Sequence, residues 1–98
     1  MRITDDAMIS DRTRHEAHTV RSGETYGPWT VSWLPERFIN RNQAITAMTL
    51  AETVAGVLLT THDVTMWAVI DDWAAELGLT GPDAVGRIAH HGYWGGTR

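Results

Sequence analysis

The chain contains no cysteine and no lysine, and only three of its 98 residues are proline and one is phenylalanine. Without cysteine there is no disulfide framework, no thiolate metal site and no thiol nucleophile. No apolar run approaches the roughly 20 residues that a membrane-spanning helix needs. The opening residues Met1-Arg2-Ile3-Thr4-Asp5-Asp6 turn acidic too early for a secretory leader. A cytoplasmic location is therefore expected. What is present fits one globular domain: 43% hydrophobic, 20% charged, and a length that could hardly supply two separate cores. Five tryptophans against one phenylalanine is the unusual number.

All eight basic residues are arginine, a composition typical of a high-GC genome, and the formal net charge is −4. That charge is uneven. Through Arg41 six arginines balance six acids; from Asn42 onward two arginines face six acids, so the second half carries the whole excess. A surface of that sign repels phosphate and disfavours non-specific nucleic-acid binding.

Residues 1–14 hold few large apolar groups and read as a mobile or loosely docked arm. Residues 15–21 are a weak strand candidate, and Ser22-Gly23-Glu24 is turn-like. From Tyr26 to Leu34 the period is two: Trp29, Val31 and Trp33 alternate with Thr30 and Ser32, with Pro28 suited to a strand start and Pro35 to its end. An antiparallel hairpin results, too small to stand alone, which must pack on helices or on a second copy of itself.

Residues 40–90 read as three helices with similar starts. Asn40-Arg41-Asn42-Gln43 is a capping-box variant, and Thr60-Thr61-His62-Asp63 and Thr80-Gly81-Pro82-Asp83 are weaker forms. The first helix, about 41–58, has a narrow polar stripe and a wide apolar face, the mark of the most buried helix. The second, about 61–77, turns Met66, Trp67, Ile70, Trp73, Ala74 and Leu77 inward and Thr65, Asp72 and Glu76 outward, with Gly78 as its stop. The third, about 81–90, has Pro82 in its first turn and Val85, Ile88 and Ala89 inward. Residues 92–98 read as a flexible tail. The expected fold is α+β: an N-terminal antiparallel β-hairpin on a three-helix unit, as a single domain over 15–91.

No catalytic constellation stands out. His15 and His18 are three apart in a strand, whereas the helical zinc motif needs four. A zinc site drawn from His15, His18 and His90 or His91 is the one metal arrangement the sequence offers. Asp71 and Asp72 are adjacent on a helix and diverge by about 100°. No enzyme activity, metal or cofactor is expected. The most motif-like stretch is 73–90, where Ala-x-x-x-Gly-Leu-Thr leads into a helix in the manner of a helix-turn-helix. Its would-be recognition helix opens with Asp83 and offers DNA only Arg87, so it reads first as a packing unit. If it does read DNA, the contacts fall to Thr80 and Arg87, with Arg12, Arg14 and Arg21 on phosphates. The tryptophans carry the other reading. Trp67 and Trp73 splay too widely to share one narrow stripe, and Trp94 sits in a Gly-rich tail. Trp29, Trp33, Trp67, Trp73 and Trp94 are therefore candidate interface residues, because tryptophan is enriched at binding hot spots.

Three segments together, Pro28–Pro35, Arg41–Glu52 and Asp72–Val85, resemble short uncharacterised proteins of actinobacteria and their bacteriophages. The likeness spans about residues 28–90 and implies a cytoplasmic bacterial or phage-encoded protein, without an activity or a cofactor. The function expected from all this is a small non-enzymatic regulatory or interaction protein, which binds a protein partner not identified by the sequence and forms a homodimer through the ribbon edges. The alternative is a DNA-binding transcriptional regulator.

Overall fold

The computed structural model describes residues 1–22, 25–56 and 64–95. Five strands are followed by three helices: β1 (Arg2–Ile3), β2 (Ala7–Ile9), β3 (Glu16–Ser22), β4 (Thr25–Val31), β5 (Leu34–Ile39), α1 (Arg41–Gly56), α2 (Val64–Glu76) and α3 (Gly81–Gly95). The strands form one antiparallel sheet in sequential order, and the fold is α+β. The expected hairpin is its β3–β4 pair, with Ala17 opposite Val31, His18 opposite Thr30 and Thr19 opposite Trp29. Nearer the turn the register shifts, and Arg21 lies opposite Tyr26. The extra residue falls around Gly27-Pro28. The Thr19 hydroxyl sits at hydrogen-bond distance from both the Gly27 and Pro28 carbonyls (2.7 and 3.0 Å), which covers acceptors that a bulge takes out of the ladder.

Three strands were not foreseen. Residues 1–14, read as an arm, supply β1 and β2, with Met8 opposite Ala17 and Ile3 opposite Met8. Met8 reaches the core and is fully buried. The Thr4 hydroxyl, accepting the Ala7 N–H at 3.1 Å, closes the turn between them. At the other edge Pro35 does not end the sheet. The chain turns at Ser32-Trp33 and Pro35 lies within β5, an edge strand that makes no demand on its missing N–H. Trp33 therefore leaves the alternating pattern and enters the core from a turn.

α1 lies on one face of the sheet, and α2 and α3 pack against α1 and against each other. α1 is the central helix, as its wide apolar face requires: Ala44, Ala47, Met48, Leu50 and Ala51 are buried, and it touches β3, β4, α2 and α3. Its start is a reciprocal capping box. Gln43 N–H donates to Asn40 Oδ1 at 2.8 Å, and Asn40 N–H donates to Gln43 Oε1 at 3.0 Å. The Thr60–Asp63 start falls outside the described residues. α2 buries Ile70 and Ala74 and leaves Thr65, Asp72 and Glu76 exposed. It stops at Gly78, whose φ of 73° is left-handed. Leu79 N–H donates to Ala74 O (2.9 Å) and Gly78 N–H to Ala75 O (3.0 Å), the paired bonds of a Schellman ending.

In α3 the inward face is Ala84 and Ile88, with Val85 half-buried; Ala89, expected inward, is exposed. It lies about 100° around the helix from Ile88, off the stripe that Ala84 and Ile88 define at four-residue spacing. Residues 92–95, expected as flexible tail, continue α3 to Gly95.

Candidate functional site

Three regions bring polar and apolar groups together. The first is the junction of α2 and α3, where the helix-turn-helix pattern falls. Thr80 caps α3: its hydroxyl accepts the Asp83 N–H at 3.2 Å. Asp71, one helix back, accepts the Gly81 N–H at 2.8 Å. A Cβ on Gly81 would stand 2.2 Å from the same Asp71 oxygen, so only glycine permits this approach. Two carboxylates, Asp71 and Asp83, thus occupy the end of α3 where a phosphate would need free N–H groups. Arg87 is also committed. Its guanidinium holds Glu36 at 2.6 Å and Asp83 at 3.3 Å. The Glu36 carboxyl lies below the usual carboxylate value, chiefly through its own backbone N–H and then through Arg87; Arg87 is raised, first by Glu36 and also by Asp83. As a DNA-reading surface this junction presents a capped N-terminus and a paired arginine.

The same junction is fastened to the sheet. The Arg37 guanidinium donates to the Leu77 carbonyl and Gln43 Nε2 donates to the Glu76 carbonyl at 3.2 Å. Both cover carbonyls at the end of α2 that have no partner within the helix. The sequence singled out none of Asp71, Arg37 or Gly81 for these contacts: Arg37 reaches a carbonyl 40 residues away, and the Asp71–Gly81 bond spans ten residues between two helices, beyond any local capping pattern.

The second region is the loop from Ser10 to His15. The Ser10 hydroxyl accepts the Arg12 and Thr13 N–H groups (3.1 and 3.0 Å) and donates to Glu52 of α1 at 2.9 Å. Thr13 Oγ1 accepts the His15 N–H at 3.0 Å. The His15 ring is 3% exposed, with Nε2 2.9 Å from the Ile88 carbonyl and Nδ1 2.8 Å from Ser32 Oγ. A carbonyl can only accept, so Nε2 carries the proton and, in the neutral ring, Nδ1 accepts from Ser32. His15 therefore ties the loop to the β4–β5 turn and to α3. His18 does not join it. Strand alternation turns His18 outward, where Nε2 lies 3.2 Å from Glu16. A zinc site from His15 and His18 is thus excluded by their opposite faces. Among the described residues no three His, Asp or Glu side chains gather as metal ligands. Between this loop, Val54 and Ala55 of α1, and Ile88 and Ala89 of α3 lies an open groove of about 360 Å³, with Arg12 and Arg14 on its wall.

The third region is α2 itself. Of the five candidate interface tryptophans, Trp29 and Trp33 are core residues and not interface residues. Trp33 is fully buried and its indole N–H donates to the Ala47 carbonyl at 3.2 Å; Trp29 is 2% exposed. They fill the space between sheet and α1, which a core otherwise short of large side chains requires. Trp67 and Trp73 are half-buried against the core. One turn before Trp67, Val64 is 76% exposed, and Ala68 beside them is exposed too. Phe38 on the outer edge of β5 is 75% exposed. The backbone of Trp94 belongs to α3, and that of Arg21 to β3.

Among the described residues no helix is long and apolar enough to cross a membrane. No family model, no curated protein and no solved structure matches the chain.

Proposed function

We propose that this chain is a small, non-enzymatic interaction protein of the regulatory kind carried by phages and mobile elements, acting in the cytoplasm by binding a protein partner and by pairing with itself. The observation that carries the reading is the apolar stripe on α2. Val64, Trp67 and Ala68 lie at three- and four-residue spacing and keep apolar surface open to solvent. A partly open tryptophan beside an exposed valine is the kind of anchor on which interface energy concentrates.

The stripe serves self-association better than the sheet edges do. β1 is two residues long and β5 carries Pro35, both devices that blunt an edge. In an antiparallel two-fold pair, side chains on one face must meet residues at even offsets. A β5 pair centred on Glu36 or Arg37 then sets like charges directly opposite one another, which is destabilising. A two-fold across the α2 stripe meets no such repulsion at Val64, Trp67 and Ala68.

Sedimentation equilibrium tests the reading. A dimer at tens of micromolar that Val64→Glu converts to a monomer supports it. A wild-type monomer at that concentration removes self-association from the function, and an unaltered dimer in Val64→Glu removes the α2 stripe.

A further inference from the structure

The groove walled by the Ser10–His15 loop has properties that the interaction reading does not use. Its floor is apolar, made by Val54, Ala55, Ile88 and Ala89. Its wall carries Arg12 and Arg14, and neither guanidinium has an ion-pair partner among the described residues. The neighbouring acids are engaged elsewhere: Asp11 lies 3.0 Å from the Met1 ammonium, and Glu52 accepts from Ser10 at 2.9 Å. In a chain of net charge −4, two unpaired arginines beside an apolar floor are a local reversal of sign.

The backbone of the loop that carries the arginines is held in place. Ser10 and Thr13 between them accept three backbone N–H groups of the loop, Ser10 fixes it to α1, and His15 fixes it to α3 and the β4–β5 turn. A loop ordered before a ligand arrives loses less conformational freedom when it binds one. The groove's volume of about 360 Å³ lies within the range of small-molecule sites, roughly 300–1,000 Å³. A protein partner would need far more surface, about 800 Å² on each side.

We propose that this groove binds a small amphiphilic anion, an aliphatic chain or ring that bears one carboxylate, sulfonate or phosphate. The apolar body lies on Val54, Ala55, Ile88 and Ala89, and the anionic head meets Arg12 and Arg14. Charge-assisted bonds from a guanidinium to such a head are the stronger class of hydrogen bond, and the adjoining apolar floor excludes part of the water that would screen them.

Calorimetric titration of the full chain with decanoate, and with decanol as its uncharged counterpart, tests this. One decanoate binds per chain, at least about tenfold more tightly than decanol, and the difference vanishes in the Arg12→Ala/Arg14→Ala double variant. Raising the salt concentration weakens decanoate and leaves decanol unchanged. Ala55→Trp, which fills the floor, abolishes both, with circular dichroism showing that the fold is kept. Anilinonaphthalene sulfonate, displaced by decanoate, shows whether a sulfonate head serves as well as a carboxylate. Equal binding of decanoate and decanol overturns the proposal. So does decanoate binding unchanged in the double variant, or no binding in the millimolar range. Dimerisation is read separately by sedimentation, so either idea can fail alone.

Discussion

Gly81→Ala is the sharpest test of the way the helices are joined. In a free helix the change would stabilise: alanine is favoured over glycine by about 1 kcal/mol in an interior and by less near a helix start. Here the new Cβ would stand 2.2 Å from Asp71 Oδ1, the atom that accepts the Gly81 N–H. One of the two must move. Losing that bond leaves the part-buried N–H without its acceptor, at a cost of roughly 1–2 kcal/mol. Set against the gain of a few tenths, the net loss is about 1–2 kcal/mol. In a domain of this size that lowers the melting temperature by roughly 4–16 °C. The decisive step is a double-mutant cycle. In an Asp71→Ala background the obstructing oxygen is absent, so Gly81→Ala becomes neutral or stabilising. Thermal unfolding followed by circular dichroism reads both. If Gly81→Ala costs the same with and without Asp71, the contact is not what selects glycine and the reasoning fails.

Other outcomes follow from the same geometry. Asn40→Ala removes half of the reciprocal cap on α1 and lowers stability by about 1 kcal/mol in a denaturant titration, whereas Asn40→Asp keeps most of it. Trp33→Ala empties a fully buried site, costing about 3–5 kcal/mol; Trp33→Phe costs less and isolates the indole N–H bond to the Ala47 carbonyl. The Glu36 carboxyl lies below its usual value, so its contribution is complete above that value and is lost as pH falls through the folded-state one. The stability gap between wild type and Arg87→Ala therefore narrows as the solution is acidified below the usual carboxylate range. In gel-shift assays at low salt, Arg87→Ala leaves any DNA affinity unchanged, since that guanidinium is already held by Glu36 and Asp83.

What the sequence revealed was local. The Asn40–Gln43 box and the Gly78 stop were legible because each lies within a few residues and has one physical reading. The burial of α1 was legible from the width of its apolar face. β1 and β2 escaped because their apolar signal is thin. Met8 alone carries β2 into the core, and nothing near it in sequence announces Ala17 as its partner. Pro35 misled because proline ends a central strand but is tolerated at an edge, and edge position is a property of the whole sheet. The tryptophan pattern misled for a similar reason: Trp33 continues a period of two across a turn, where alternation no longer assigns a face. The groove was illegible for lack of any motif. Its arginines come from a loop that read as an arm, and that loop is ordered by Glu52, Ser32 and Ile88, 17 or more residues away.

The proposed function stands on the open apolar stripe of α2 acting as an interface. Sedimentation equilibrium of the wild-type chain beside Val64→Glu, at tens of micromolar and moderate salt, tests it most directly. A reversible wild-type dimer and a folded monomeric variant are the expected result. A monomeric wild type, or a dimer that Val64→Glu leaves intact, would contradict it.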